Sequence, residues 1–151
     1  MGYWHLAFNI DRSNGWAGRV FFCLGAYGFV IGAAWISQRV FLALTAHNIA
    51  SGQNLQTLQD AFATHNEPLI NVLRIAMLIL SILWVFQILK NRSHYPKWMA
   101  FFSPLALLVL MVLLYVFIPF IGQYLLPIAM NAAHFIIFAL SLWTTRKLTN
   151  T

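Results

Sequence analysis

The stretch WMAFFSPLALLVLMVLLYVFIPF, residues 98–120, carries no charged side chain. A hydrocarbon layer about 30 Å thick asks for about 20 such residues in one helix, and a helix satisfies its own backbone hydrogen bonds in the absence of water. The whole chain has the same character. Of 151 residues, 61% are hydrophobic, 16% aromatic and only 8% charged, with a mean hydropathy of +0.74. Soluble domains carry about 25% charged residues, and a chain this short has too little interior to hide so much apolar surface. The composition therefore reads as an all-α, polytopic integral membrane protein, with residues 1–151 forming a single transmembrane domain.

Working outward from that stretch gives three more apolar runs, so the expected spans are 17–38, 69–89, 98–120 and 124–143, packed as a four-helix bundle. Arg19 and Arg39 bracket the first; the residues between them make about 28 Å of helix. Seven of the nine basic residues fall on one side: Arg12, Arg19, Lys90, Arg92, Lys97, Arg146 and Lys147. The connection 45–68 has no Lys or Arg but holds Asp60 and Glu67. Because loops rich in Lys and Arg stay on the cytoplasmic side, both termini and the 90–97 loop are expected there. The 19 residues before the first apolar run, NIDRSNG among them, are long for a signal-peptide n-region, so cleavage within the first span is not expected. MGYWHL lacks the Ser or Thr of a myristoylation signal.

The connections carry their own signals. In SGQNLQTLQDAF, 51–62, Leu55, Leu58 and Phe62 share one helical face, which predicts a short amphipathic helix on the outer surface. Asn66 is placed to cap the second span, with Pro68 in its first turn. Pro119 and Pro127 mark a tight outer turn, and Pro104 kinks the third span unless that helix begins later. Trp16, Trp35, Trp98, Tyr124 and Trp143 fall near span boundaries, as an aromatic belt does. Gly28 and Gly32 form a G-x-x-x-G pair that lets helices approach closely, within the chain or between two copies. There is no internal repeat.

Polar residues inside the spans are the candidates for function. His134 lies about 13 Å along the helix from Trp143, near the midplane, with Asn131 one turn away on the same face. Groups at that depth are expected to face the bundle interior and find partners. Glu67, Asn71 and Arg74 share one face of the second span, and Arg74 is too close to Lys90 to lie at the membrane boundary. Arg39 sits at the outer end of the first span. Three readings compete for this set. The arginines snorkel to the headgroups, or they are neutralised internally by Asp60 and Glu67, or Arg39, Glu67, Asn71, Arg74, Asn131 and His134 form a polar pocket for an amphiphilic ligand.

Several classes are excluded. The net charge of +6 comes from residues at the ends of apolar runs, and no basic patch interleaved with aromatics tracks a nucleic acid; these cations meet lipid headgroups instead. The single cysteine, Cys23, rules out an internal disulfide and Cys-rich metal centres. The histidines His5, His47, His65 and His94 show no metal-ligand spacing, and no cofactor motif or catalytic motif of a hydrolase or nucleotide-binding protein is present. General acid–base chemistry at His134 is open to an imidazole, but a hydrogen bond to Asn131 or Ser103 is the simpler expectation.

Three stretches, GYWHLAFNI (2–10), HYPKWMAFFSPL (94–105) and NAAHFIIFAL (131–140), resemble uncharacterised bacterial multi-pass membrane proteins in which a Tyr-Pro-(Lys/Arg)-Trp motif leads into a helix with a Ser/Asn-Pro step. The resemblance implies the bacterial inner membrane, and it implies a shortened chain, since similar proteins have spans before the Gly-Tyr-Trp stretch. It brings no function with it. From physics alone, Tyr95 and Trp98 anchor at the interface, Pro96 stops the preceding helix and Lys97 meets phosphates. The expected role is a binding or assembly component of the membrane, an oligomer or the partner of another membrane protein. The alternatives are an intramembrane enzyme or carrier using the polar pocket, and a small dimeric transporter.

Overall fold

A computed structural model describes residues 2–13, 15–125 and 128–149, with side chains up to residue 146. Among these residues the structure is helical and contains no strand. The elements are α1 (Gly2–Ile10), α2 (Trp16–Ala50), α3 (Gln56–Leu89), a 3-10 helix (Lys97–Phe102), α4 (Pro104–Phe117), α5 (Pro119–Leu125) and α6 (Ala129–Thr149). Helices α2 and α3 are each long and apolar enough to cross a membrane; α5 and α6 pass the same test together, as one sharply bent pair. Helix α4 is apolar but has 14 residues, about 21 Å of helix.

Two boundaries differ from expectation. The first expected span stops at 38, yet α2 continues to Ala50, because nothing in RVFLALTAHNIA breaks a helix; Gly52, at φ 91°, does. The expected surface helix over 51–62 is instead the start of α3, where Phe62 packs on Phe41 of α2 with ring centroids 4.5 Å apart. Asn66 is therefore not a cap, and Pro68 lies inside α3 rather than in its first turn. Hydropathy marks where lipid could begin; it does not end a helix whose backbone bonds can continue in water.

The third apolar run is divided. Ser103 caps α4 and accepts from the Ala106 amide, with Pro104 at the first helical position, so Pro104 starts a helix rather than kinking one. The Ser81 hydroxyl of α3 accepts from the Leu105 amide at 2.9 Å, so a second free donor of that helix end is satisfied across the bundle. Helix α4 stops just before Pro119, and Tyr124 belongs to α5, not to the last helix. Pro127 lies outside the described residues.

Helix α1 runs antiparallel to the start of α2. Ala7 faces Gly18 and Tyr3 faces Gly25, and a Cβ at either glycine would collide with its neighbour. We call this end of the molecule basal and the 51–55 turn distal. Helix α3 ends basally with Asn91 in the left-handed region (φ 55°), while the Arg92 amide donates to Gln87 O and the Asn91 amide to Ile88 O. That Schellman arrangement turns the chain back under α1. There the Arg12 amide donates to Arg92 O and the His94 amide to Asn9 O, each at 2.8 Å. The core fills the space between: Leu6 and Ile10 of α1, Phe21 of α2, Leu80, Trp84 and Ile88 of α3, Met99 and Ile137.

Candidate functional site

His134 is buried in α6. Its Nδ1 lies 2.6 Å from the Met130 carbonyl and must donate to it, which leaves Nε2 to accept from the Tyr3 hydroxyl at 2.5 Å. The imidazole is thus the neutral Nδ1–H tautomer, assigned from its partners. Phe29 and Phe138 stand near its ring. The partner expected from sequence was Asn131 or Ser103. Asn131 is instead exposed, and Ser103 is occupied in capping α4. Tyr3 lies 131 positions away in sequence, in a segment whose importance the apolar runs did not reveal. A signal existed: Tyr3, Leu6, Ala7 and Ile10 follow i, i+3, i+4, i+7 spacing, which is one buried helical face.

The remaining candidates do not join this pair. Arg74 is exposed and donates to the Asn71 side-chain oxygen at 3.2 Å, one turn away. It lines a trough of about 170 Å³ with Trp35, Ile70 and Met130, whereas His134 and Asn131 are not among the lining residues. Arg39 is exposed, with its guanidinium 4.7 Å from the centre of the Trp35 ring. Glu67 is exposed. Asp60 accepts from Gln56. Of the glycine pair, Gly28 has open space where a side chain would be and Gly32 approaches only Met130; the close helix contacts lie at Gly18 and Gly25. Among the described residues, no three of His, Cys, Asp or Glu come together to hold a metal.

A second buried network sits basally. The expected place of Tyr95 is at the interface, but its ring is buried against Trp84, with centroids 5.0 Å apart, and its hydroxyl meets Ser141 Oγ at 2.5 Å. Pro96 is itself extended at the start of the 3-10 helix, and the contacts that hold Tyr95 inside come from Trp84 and Ser141. Trp98 remains half-exposed, edge-on to Trp143. Trp84 donates its indole N–H to Met99 O at 2.8 Å. Asp11 accepts from the Ser13 amide and hydroxyl and from the Gly18 amide at the start of α2. Burial alone would push its carboxyl up, but these hydrogen bonds, with one from the Gly15 amide, outweigh it and hold the pKa below the ordinary carboxylate value.

Residues 2–147 match a described family of unknown function, DUF6796. The chain belongs to that family. No curated protein and no solved structure matches it. The DUF6796 match takes in both ends of the Tyr3–His134 pair, as well as Tyr95 and Ser141, so both buried networks lie inside the family region.

Proposed function

We propose that this DUF6796 chain is a single-domain, multi-pass protein of the bacterial inner membrane that works as a binding or assembly component. In this reading the basal end, with the α1–α2 turn, the 90–97 loop and the end of α6, faces the cytoplasm, as the basic residues there favour, while α1 runs from that turn back into the bundle, where Gly2 meets Phe138. Four crossings follow if the 3-10 helix and α4 together make one and the bent α5–α6 pair another. The observation that carries the reading is how the interior polar groups are engaged. Tyr3 with His134, and Tyr95 with Ser141, bond to each other across helices, which is what polar side chains do as glue within a membrane bundle. The distal half of the α2–α3 hairpin, by contrast, leaves Val40, Phe41 and Leu44 exposed. At about 52 Å, α2 is longer than a bilayer is thick, so this half reaches past the hydrocarbon and offers a surface to a second copy or another membrane protein.

The test combines cross-linking with native mass spectrometry. Leu44→Cys, made with Cys23→Ser so that one thiol remains, is expected to cross-link to a second protein chain in native membranes. Wild type and His134→Ala should carry the same bound species. A monomer that holds a small amphiphile, lost on His134→Ala, would overturn the assembly reading in favour of a carrier or intramembrane enzyme.

A further inference from the structure

We propose that the trough between α1 and α2 at the basal end binds one anionic phospholipid, its headgroup phosphate on the Arg19 guanidinium and an acyl chain along Trp4, Phe8 and Phe22. The trough holds about 510 Å³, and Ala7, Gly15, Gly18 and Cys23 complete its lining. Its walls are aromatic and outward-facing: Trp4 is 64% and Phe8 58% exposed, and Trp4 is held edge-on to Phe22 with ring centroids 5.6 Å apart. An aliphatic chain laid there covers rings that the bundle itself does not cover. The absence of a side chain at Gly18 keeps α1 close enough to α2 for the trough to have a floor.

Charge selects the headgroup. Arg19 lines the trough and is exposed. The one acid nearby, Asp11, is turned inward onto the Ser13 and Gly18 donors, so its charge is engaged in capping α2. The backbone bonds from Arg12 to Arg92 and from His94 to Asn9 bring a distant loop under the α1–α2 turn. Exposed Arg12 and Arg92 thereby join Arg19 at the same end, with Lys90 and Lys97 on the flanking loop. A guanidinium presents paired donors that match a phosphate, and an excess of exposed cations favours a lipid of net negative charge over a zwitterionic one. The trough on the other face of α1, lined by Trp4, His5, Phe8, Phe138 and Leu142, has no Lys or Arg and carries no such selection. The site uses only the basal end and is independent of whatever the distal hairpin contacts; it requires that this end be embedded in lipid.

The experiment uses the full chain in mild detergent, with palmitoyl-oleoyl phosphatidylglycerol and the matching phosphatidylcholine as probes, read by native mass spectrometry. Wild type is expected to retain one phosphatidylglycerol with about tenfold preference over phosphatidylcholine. Arg19→Gln, an exposed position, removes the preference, whereas Arg74→Gln at the far trough leaves it. Phosphatidylglycerol also slows maleimide labelling of Cys23 in wild type but not in Arg19→Gln. Equal retention of the two lipids, or equal effects of the two substitutions, overturns the proposal. So does displacement of the lipid by millimolar inorganic phosphate, which would mark a site for a free anion.

Discussion

The basal and distal halves of this molecule are built from the same kind of apolar helix, yet they differ in how they treat polar groups. Basally, helices α1, α2, α3 and α6 and the 90–103 segment converge. Trp84 is fully buried between Phe21 and Tyr95, and its N–H finds Met99 O. Tyr3, Tyr95, His134 and Ser141 are paired, and among the described residues one buried side-chain atom there, Gln87 Oε1, lacks a partner. Distally, α2 and α3 have chiefly each other. Asn66 is buried there with neither amide atom bonded, and Gln38 Oε1 is also unpartnered. A two-helix seam can bury a side chain without supplying its hydrogen bonds; a third element usually provides them.

That comparison can be broken at several points. The largest effect is expected at Trp84→Ala, which removes the ring from the basal core and should cost about 3–5 kcal/mol in thermal or denaturant unfolding in detergent. A loss below about 1 kcal/mol would mean the basal half is not the stability centre. Tyr3→Phe keeps the ring but leaves His134 Nε2 without its donor, and should cost about 1–3 kcal/mol by the same assay. Unchanged stability would show that the hydroxyl has no net role. In the distal half, Phe41→Ala should cost only about 0.5–1.5 kcal/mol through its pair with Phe62. A cost matching that of Trp84 would erase the difference between the halves.

Asp11 sharpens the comparison through pH. Its folded pKa is depressed below 3.8, so folding favours the carboxylate. Its contribution is complete at neutral pH and is lost as pH falls from about 4 through the folded value. Wild type should therefore lose stability in that acid range, and Asp11→Asn should show a flatter profile there, compared by melting temperature. The smallest effect is expected at Asn66→Leu. Removing a buried amide that makes no bond should leave stability unchanged or slightly raised. A loss above about 1 kcal/mol would show that the amide has a partner, for which a second copy on the hairpin is the direct candidate.

Legibility in the sequence followed the physics of each feature. Ser103 and Pro104 carry the local signature of a helix start, yet the expected span runs through them, because unbroken hydropathy over 98–120 hides a capping contest decided among a few neighbouring atoms. The extent of α2 and α3 is not legible from Arg39, Asn66 and Pro68, which mark the limits of apolar runs and not helix ends. Membrane boundaries concern solvent, whereas helix ends concern backbone bonds, and the two need not coincide. Tyr95, an aromatic near a Pro and a Lys, has the composition of an interface, while its actual position depends on Trp84 and on a serine 46 residues later.

By itself, the sequence determined the helical class and the presence of runs long and apolar enough to cross a membrane, since these depend on composition and order alone. The tertiary structure decided which polar groups matter. His134 could be recognised as a buried imidazole from its apolar neighbours, but its partner lies in α1, and only packing against Gly25 brings Tyr3 to it. Arg39, Asn71, Arg74 and Asn131 had the same claim on paper and stayed at the surface. Spacing along one helix fixes which side chains share a face; it takes the neighbouring helices to decide whether that face is covered.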